Sequence, residues 1–147
     1  MPDYPVAGER PEVLFVCVHN AGRSQMAAAF LAHHGGDGVV VRSAGTAPGD
    51  AVNPAVVEVM NEVGLDLHRL GAHPKALEEA AVQASDIVIT MGCGDECPFF
   101  PGTTYLDWPL DDPAGQGPDS VRPIRDEIEQ LVLGLLGDLD VPVASSE

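Results

Sequence analysis

The feature that most constrains this chain is an abrupt change of character near its start. Val13, Leu14, Phe15 and Val16 form an unbroken apolar run, residues 17 to 24 read C-V-H-N-A-G-R-S, and Q-M-A-A-A-F-L-A-H-H follows. An unbroken apolar run bounded by a turn fits a parallel strand buried on both faces, and the residues after the break are good helix formers. Strand, loop, helix is the opening of a βαβ unit, and the rest of the chain continues the alternation. Val39 to Arg42 reads as a second strand. Asn53 as N-cap, Pro54 at the first helical position and Gly64 as stop frame a helix over 54–63, and residues 75–83 form a third helical candidate. Asp86 to Met91 is a β-branched strand, Thr103 to Leu106 a shorter one, and a final helix is expected from Asp119 to Leu136. Alternation of this kind predicts an α/β fold with a four-stranded parallel sheet and helices on both faces, with ligands bound beyond the carboxyl ends of the strands. Cys17, Cys93 and the 107–117 loop all gather at that edge.

At 147 residues and 45% hydrophobic content, the chain suits one domain, burying roughly 70% of its unfolded surface. That domain is expected over residues 11–141, with flexible ends at 1–10 and 142–147. Its first ten residues have neither a basic nor an apolar segment of the kind that directs export, and no apolar stretch is long enough to span a membrane, so a cytoplasmic location is expected. With 23 acidic against 7 basic residues and a formal charge of −16, nucleic acid and anionic membrane surfaces are poor partners, because phosphate contacts need clustered cations. If the substrate is an anion, local geometry must overcome the overall field. Arg23, inside the polar loop, is the residue placed to do it.

A loop between a strand and a helix can turn successive N–H groups inward as an anion nest, to which the helix adds its partial positive terminus. Val18, His19, Asn20, Ala21, Gly22, Arg23 and Ser24 would make such a cradle. Arg23 could fold back to offer a bidentate fork to a tetrahedral oxyanion. The same setting acts on sulfur: a free thiol is only about 3% ionised at pH 7, whereas one facing a helix N-terminus and an Arg can titrate as low as roughly 3.5 to 7.5. Cys17 is thus a candidate nucleophile. Ser24 can donate to its thiolate, Asn20 can hold the loop while tolerating a left-handed conformation, and Gly22 allows close backbone approach. The competing reading, Cys17 as an ordinary core cysteine, is weakened by its position at the end of a buried strand, before a loop of the right length and a helix.

With these residues in view, the sequence resembles the low-molecular-weight phosphotyrosine phosphatase superfamily, whose loop reads Cys-x5-Arg-Ser after the first strand. V-R-S-A-G-T (Val41 to Thr46), D-I-V-I-T-M (Asp86 to Met91) and the Asp112-Pro113 pair extend the likeness over nearly the whole domain. The resemblance implies a flavodoxin-like fold, Cys17 as nucleophile, Arg23 as anion clamp and Asp112 as general acid. Within the superfamily, M-G-C-G-D-E-C-P together with D-W-P-L-D-D-P-A-G-Q looks like the thioredoxin-coupled arsenate reductase branch. Phosphatases typically carry tyrosines after Asp-Pro, where Ala114 and Gly115 stand here, and a second cysteine where Gly22 stands. The branch implies reduction of arsenate to arsenite by a relay through Cys17, Cys93 and Cys97. Regeneration would come from an external thiol, either thioredoxin or a low-molecular-weight thiol with a redoxin. Phosphate or sulfate would compete for the cradle. Cys93 and Cys97 are three residues apart, closer than in the better-known reductase pattern, which leaves the donor open.

No bound cofactor and no metal are expected. Cys93 and Cys97 with one or two of His19, His33, His34, His68 and His73 could in principle bind zinc, and the spacing of the two cysteines lies within the zinc range, but no second closely spaced ligand pair follows. His33 and His34 read as a cationic helix end, His19 as tuning Cys17 or facing solvent, Trp108 and Tyr105 as packing anchors, and Arg122 and Arg125 as a solvated helix face. A monomer is expected. The alternatives are a tyrosine phosphatase working through a phosphocysteine and a sensing module without turnover, which would not need Asp112.

Overall fold

The first strand, β1 (Glu12–Cys17), lies inside the sheet and organises the rest of the molecule. In the computed structural model, which describes residues 10–91, 103–111 and 115–143, β1 pairs in parallel with β2 (Val40–Gly45) on one side and β3 (Ile87–Thr90) on the other, and β3 pairs in parallel with β4 (Thr104–Asp107). The order β2-β1-β3-β4 is that of a flavodoxin-like sheet. The chain leaves β1 toward one edge and β3 toward the other, opening a crevice at the carboxyl ends of those two strands.

Period-two alternation sorts β1 onto two cores. Val13, Phe15 and Cys17 face one hydrophobic cluster, and Leu14 and Val16 the other. The first cluster takes the helices α1 (Arg23–Gly35), α2 (Pro54–Asn61) and α4 (Pro118–Asp138). Each offers a helical stripe, such as Val121, Ile124, Ile128, Val132 and Leu135 of α4. Trp108 packs on Phe15 with ring centroids 5.6 Å apart. The second cluster is closed by α3 (Glu79–Ala84) through Val82, with Leu77 and Ala81 beside it. Helices therefore cover both faces.

The element boundaries shift where tertiary pairing overrides local preference. The second strand extends to Gly45, because Ser43, Ala44 and Gly45 stay in register with Phe15, Val16 and Cys17. The third helix begins at Glu79 rather than at residue 75. The Gly45 N–H donates to the Lys75 carbonyl, Leu77 N–H donates to the Gly45 carbonyl, and Ala76 bridges Gly45 in parallel. Lys75 to Leu77 thus cap the β2 edge as extended chain. The second helix ends at Asn61, with Asn53 Oδ1 accepting from the Ala55 N–H at 2.9 Å. A turn then reaches Gly64 at φ 83°, a left-handed conformation suited to glycine.

Candidate active site

Accounting for backbone hydrogen bonds explains the loop after β1. Its carbonyls are taken from outside by the segment 46–53: Thr46, Ala47, Gly49 and Asn53 donate their N–H groups to the carbonyls of Cys17, Val18, His19 and Ala21, respectively. The Asn20 carbonyl accepts from Gln25 Nε2 at 3.0 Å, and the Gly22 carbonyl from the Met26 N–H at 2.9 Å. With the carbonyls from Cys17 to Ala21 turned outward, the N–H groups of Val18 to Gly22, on the opposite side of the same planar peptides, face the other way. Among the described residues, no backbone carbonyl accepts from those of Val18 to Gly22. Asn20 makes the bend with φ 50°, and α1 begins at Arg23, adding its positive end. The result is a concave row of amide donors at a helix terminus, fit for a tetrahedral oxyanion.

Cys17 lies at the base of this row, only 2% exposed, with its Sγ 2.9 Å from Ser24 Oγ. Ser24 Oγ in turn receives Asn20 Nδ2 at 2.6 Å. Arg23 is buried, and its Nη1 donates to the Leu110 carbonyl at 3.3 Å. That bond ties the anion loop to the segment leading into Asp112. His19 is exposed, whereas Asn20 and Ser24 are fully buried. The loop candidates Cys17 to Ser24 are therefore one contiguous structure. Cys93, Cys97 and Asp112 lie outside the described residues. The approach to the two cysteines is described: β3 ends at Thr90 in register with Val16, and the Met91 N–H donates to the Val16 carbonyl at 2.8 Å. The chain thus leaves β3 alongside Cys17, two residues before Cys93. Among the described residues, no group of three or more His, Cys, Asp or Glu converges in a way that could hold a metal ion.

Three residues that carry this geometry were not singled out from the sequence. A Cβ on Gly45 would come within 2.6 Å of the Val18 carbonyl oxygen and 2.9 Å of the Asn20 nitrogen, so glycine lets the loop press against β2. Gln25 has its Nε2 amide on three acceptors behind the loop. Lys75 donates its backbone N–H to Asn20 Oδ1 at 2.9 Å, while its Nζ reaches Ser43 Oγ and the His73 carbonyl. Burial holds the Lys75 ammonium below its ordinary titration range. The A-G-T stretch was the available signal for Gly45. Gln25 and Lys75 had none, because the His73 carbonyl lies 48 residues from Gln25 and the Asn20 side chain 55 residues from Lys75.

Arg122 and Arg125 are not the simple solvated face expected. Both pair with Glu62 just beyond α2, Arg122 Nε at 2.9 Å and Arg125 Nη1 at 2.8 Å, and Arg125 Nη1 also donates to the Val59 carbonyl. These arginines link α4 to α2.

Comparison with known proteins agrees with this architecture. The family model for low molecular weight phosphotyrosine protein phosphatase matches residues 12–144. A putative arsenate reductase of Halobacterium salinarum is 42% identical over 131 residues, 86% of this chain and 91% of that protein. The glutaredoxin arsenate reductase of a Synechocystis species is 32% identical over 131 residues, covering 87% of this chain and 98% of its own. Among solved structures, a thioredoxin-dependent arsenate reductase of Corynebacterium glutamicum superposes with a TM-score of 0.79 at 46% identity, over 92% of this chain. This chain spans 64% of that protein's length.

Proposed function

Since the chain belongs to the low molecular weight phosphotyrosine protein phosphatase family, we propose that it is the reductase variant of that fold, an enzyme that converts arsenate to arsenite with electrons from an external thiol. The observation that carries this reading is the inward row of loop amides with Cys17 at its base, set beside the strand end that leads to Cys93. The cradle suits any tetrahedral oxyanion. The sulfurs that follow β3 favour arsenate, because its reduction needs two electrons and phosphate ester hydrolysis needs none.

Arsenate is held by the amides of Val18 to Gly22 and by Arg23, and the Cys17 thiolate, stabilised by the Ser24 hydroxyl, attacks arsenic. An oxygen leaves as water after Asp112 supplies a proton, giving a sulfur–arsenic(V) bond. The Cys93 thiolate attacks Cys17 Sγ, and the pair of electrons in the sulfur–arsenic bond passes to arsenic, which departs as arsenite. Cys97 then attacks Cys93, freeing Cys17 and leaving a Cys93–Cys97 disulfide for a redoxin to reduce. The two relatives named for a donor differ, one for glutaredoxin and one for thioredoxin. The higher identity to the latter favours thioredoxin. A relay that ends in such an exchange suits a reducing compartment, and no helix among the described residues is long and apolar enough to cross a membrane.

The test is non-reducing peptide mass spectrometry on the fully reduced chain treated anaerobically with arsenate, with phosphate as control. The expected result is a Cys93–Cys97 disulfide formed only with arsenate, together with one arsenite released per chain. In the same experiment Cys97→Ser should stop at a Cys17–Cys93 disulfide. Thiols that stay free in a preparation that hydrolyses an aryl phosphate through Cys17 would instead mark a phosphatase, the reading the cradle alone equally permits.

A further inference from the structure

Behind the anion loop lies a set of buried hydrogen bonds whose direction is fixed by backbone groups. We propose that Gln25 is a positioning residue for Cys17: it locks the Asn20 side-chain amide in one orientation and thereby directs the Ser24 hydroxyl proton onto the Cys17 sulfur. This rests on the reading of Cys17 as the nucleophile.

A carbonyl can only accept and a backbone N–H can only donate, which orients each side chain in turn. Gln25 Nε2 lies 2.9 Å from the His73 carbonyl and 3.0 Å from the Asn20 carbonyl. The nitrogen end of Gln25 must therefore face them, since its oxygen would meet two acceptors. The same nitrogen, sharing one of its two hydrogens between the Asn20 carbonyl and side chain, is 3.1 Å from Asn20 Oδ1, which also accepts the Lys75 backbone N–H at 2.9 Å. Reversing the Asn20 amide would set its NH2 against two donors, so Nδ2 points to Ser24 Oγ at 2.6 Å. Ser24 has one proton, and because its oxygen already accepts from Asn20, that proton is free for Cys17 Sγ at 2.9 Å. Were Asn20 reversed, Ser24 would donate to Oδ1 and the sulfur would lose its donor.

Gln25 and Asn20 are 4% and 0% exposed, respectively, so water is poorly placed to replace a missing partner. Gln25 projects from the first turn of α1, Lys75 opens the extended chain that caps β2, and His73 lies two residues before it. The relay thus couples the packing of that chain to the reactivity of the cysteine without touching substrate.

The test reads the pH dependence of Cys17 alkylation by iodoacetamide in the full-length protein, with each cysteine followed separately by peptide mass spectrometry. Gln25→Met keeps the size and helix preference and removes the donors. It should move the Cys17 profile upward by about one to two pH units, as loss of a hydrogen bond to a charged group would. Ser24→Ala should do the same, and the double variant Ser24→Ala/Gln25→Met should match Ser24→Ala alone, because Gln25 acts through Ser24. Should Gln25→Met not fold, Gln25→Glu preserves the shape while replacing the donor with an acceptor. It should shift the profile on its own and add nothing once Ser24→Ala is in place, whereas a field effect of the new carboxylate would persist. A folded Gln25 variant with the wild-type profile, or a shift that adds fully to that of Ser24→Ala, overturns the proposal. If the wild-type profile is itself centred near about 8.5, as for an ordinary thiol, the nucleophile assignment fails along with it.

Discussion

Two regions of this molecule are dense in polar contacts, and they work by different physics. The cradle after β1 is held by buried, mostly neutral hydrogen bonds, several of them backbone N–H to backbone carbonyl. The seam between α2 and α4 is held by ion pairs of Arg122 and the less exposed Arg125 with Glu62 at the solvent edge, while Asp119 and Asp126 pair with the same arginines from within α4. In the cradle burial limits each group to a few protein partners, and removing one leaves a buried donor or acceptor without water to replace it. In the seam, water and salt compete for each charge, so most of what is lost by a deletion is recovered from solvent. The cradle specifies a geometry, and the seam adds a modest attraction between helices that apolar packing already brings together.

The largest effect expected from this contrast follows an apparently mild change in the cradle, Arg23→Lys. Lysine keeps the positive charge but loses the planar fork and the bond from Nη1 to the Leu110 carbonyl. Turnover of arsenate should fall by about 10² to 10³, the scale for losing a preorganised oxyanion donor, whereas the denaturation midpoint moves little. Steady-state kinetics beside urea denaturation would check it. Near-wild-type turnover in Arg23→Lys would mean that charge rather than shape holds the anion, and the contrast between the regions would blur.

Gly45→Ala probes the cradle from its outer wall. The added methyl meets the Val18 carbonyl oxygen at 2.6 Å and the Asn20 nitrogen at 2.9 Å. Both are backbone atoms already committed to the loop, so the strand or the loop must move. A loss of about 1–3 kcal/mol in stability is expected from overpacking, with a fall of about 100-fold in kcat/KM from a misplaced cradle. Denaturant titration and arsenate turnover on the same preparation measure both. Full stability with lost turnover would sharpen the comparison, because the loop would then be shown to yield while the fold does not.

The same contrast accounts for what could be read from the sequence. The β1–loop–α1 unit was legible because its signals are local: an apolar run, a polar break, a run of helix formers. Cys17, Asn20, Arg23 and Ser24 stood out because they fill a loop of the right length between a buried strand and a helix start, not because of their spacing alone. Gln25 did not, since inside S-Q-M-A-A-A it looks like another helix former, and its meaning depends on the His73 carbonyl 48 residues away. The start of α3 at Glu79 departs from the expectation for a related reason. Pro74-Lys75-Ala76 resembles a helix opening, yet pairing with Gly45 draws it into extended form. Arg122 and Arg125 have Asp119 and Asp126 close by in sequence and so suggest a solvated face, whereas the carboxylate they share is Glu62, 60 residues before Arg122. Local chemistry is written in order along the chain; the buttresses that aim it are not.

The seam supplies the smallest expected effect and the one with a defined pH window. Hydrogen bonds from Arg122, and then from Arg125, hold the Glu62 carboxyl down to about 2 from an ordinary value of 4.5, against the opposing effect of partial desolvation. Because the folded value lies below the unfolded one, the unfolded chain binds the extra proton first as pH drops. The contribution of Glu62 is therefore complete above about 4.5 and is lost as pH falls through about 2. Glu62→Gln should be slightly less stable than wild type at pH 7, with the difference shrinking between pH 4.5 and pH 2 and also with added salt. Thermal melts of both proteins across that range, at low and high ionic strength, would check it, and arsenate turnover at pH 7 should be unchanged. A difference that persists at pH 2 and in high salt would show that Glu62 acts by packing rather than by charge. The seam would then resemble the cradle more than its exposure suggests.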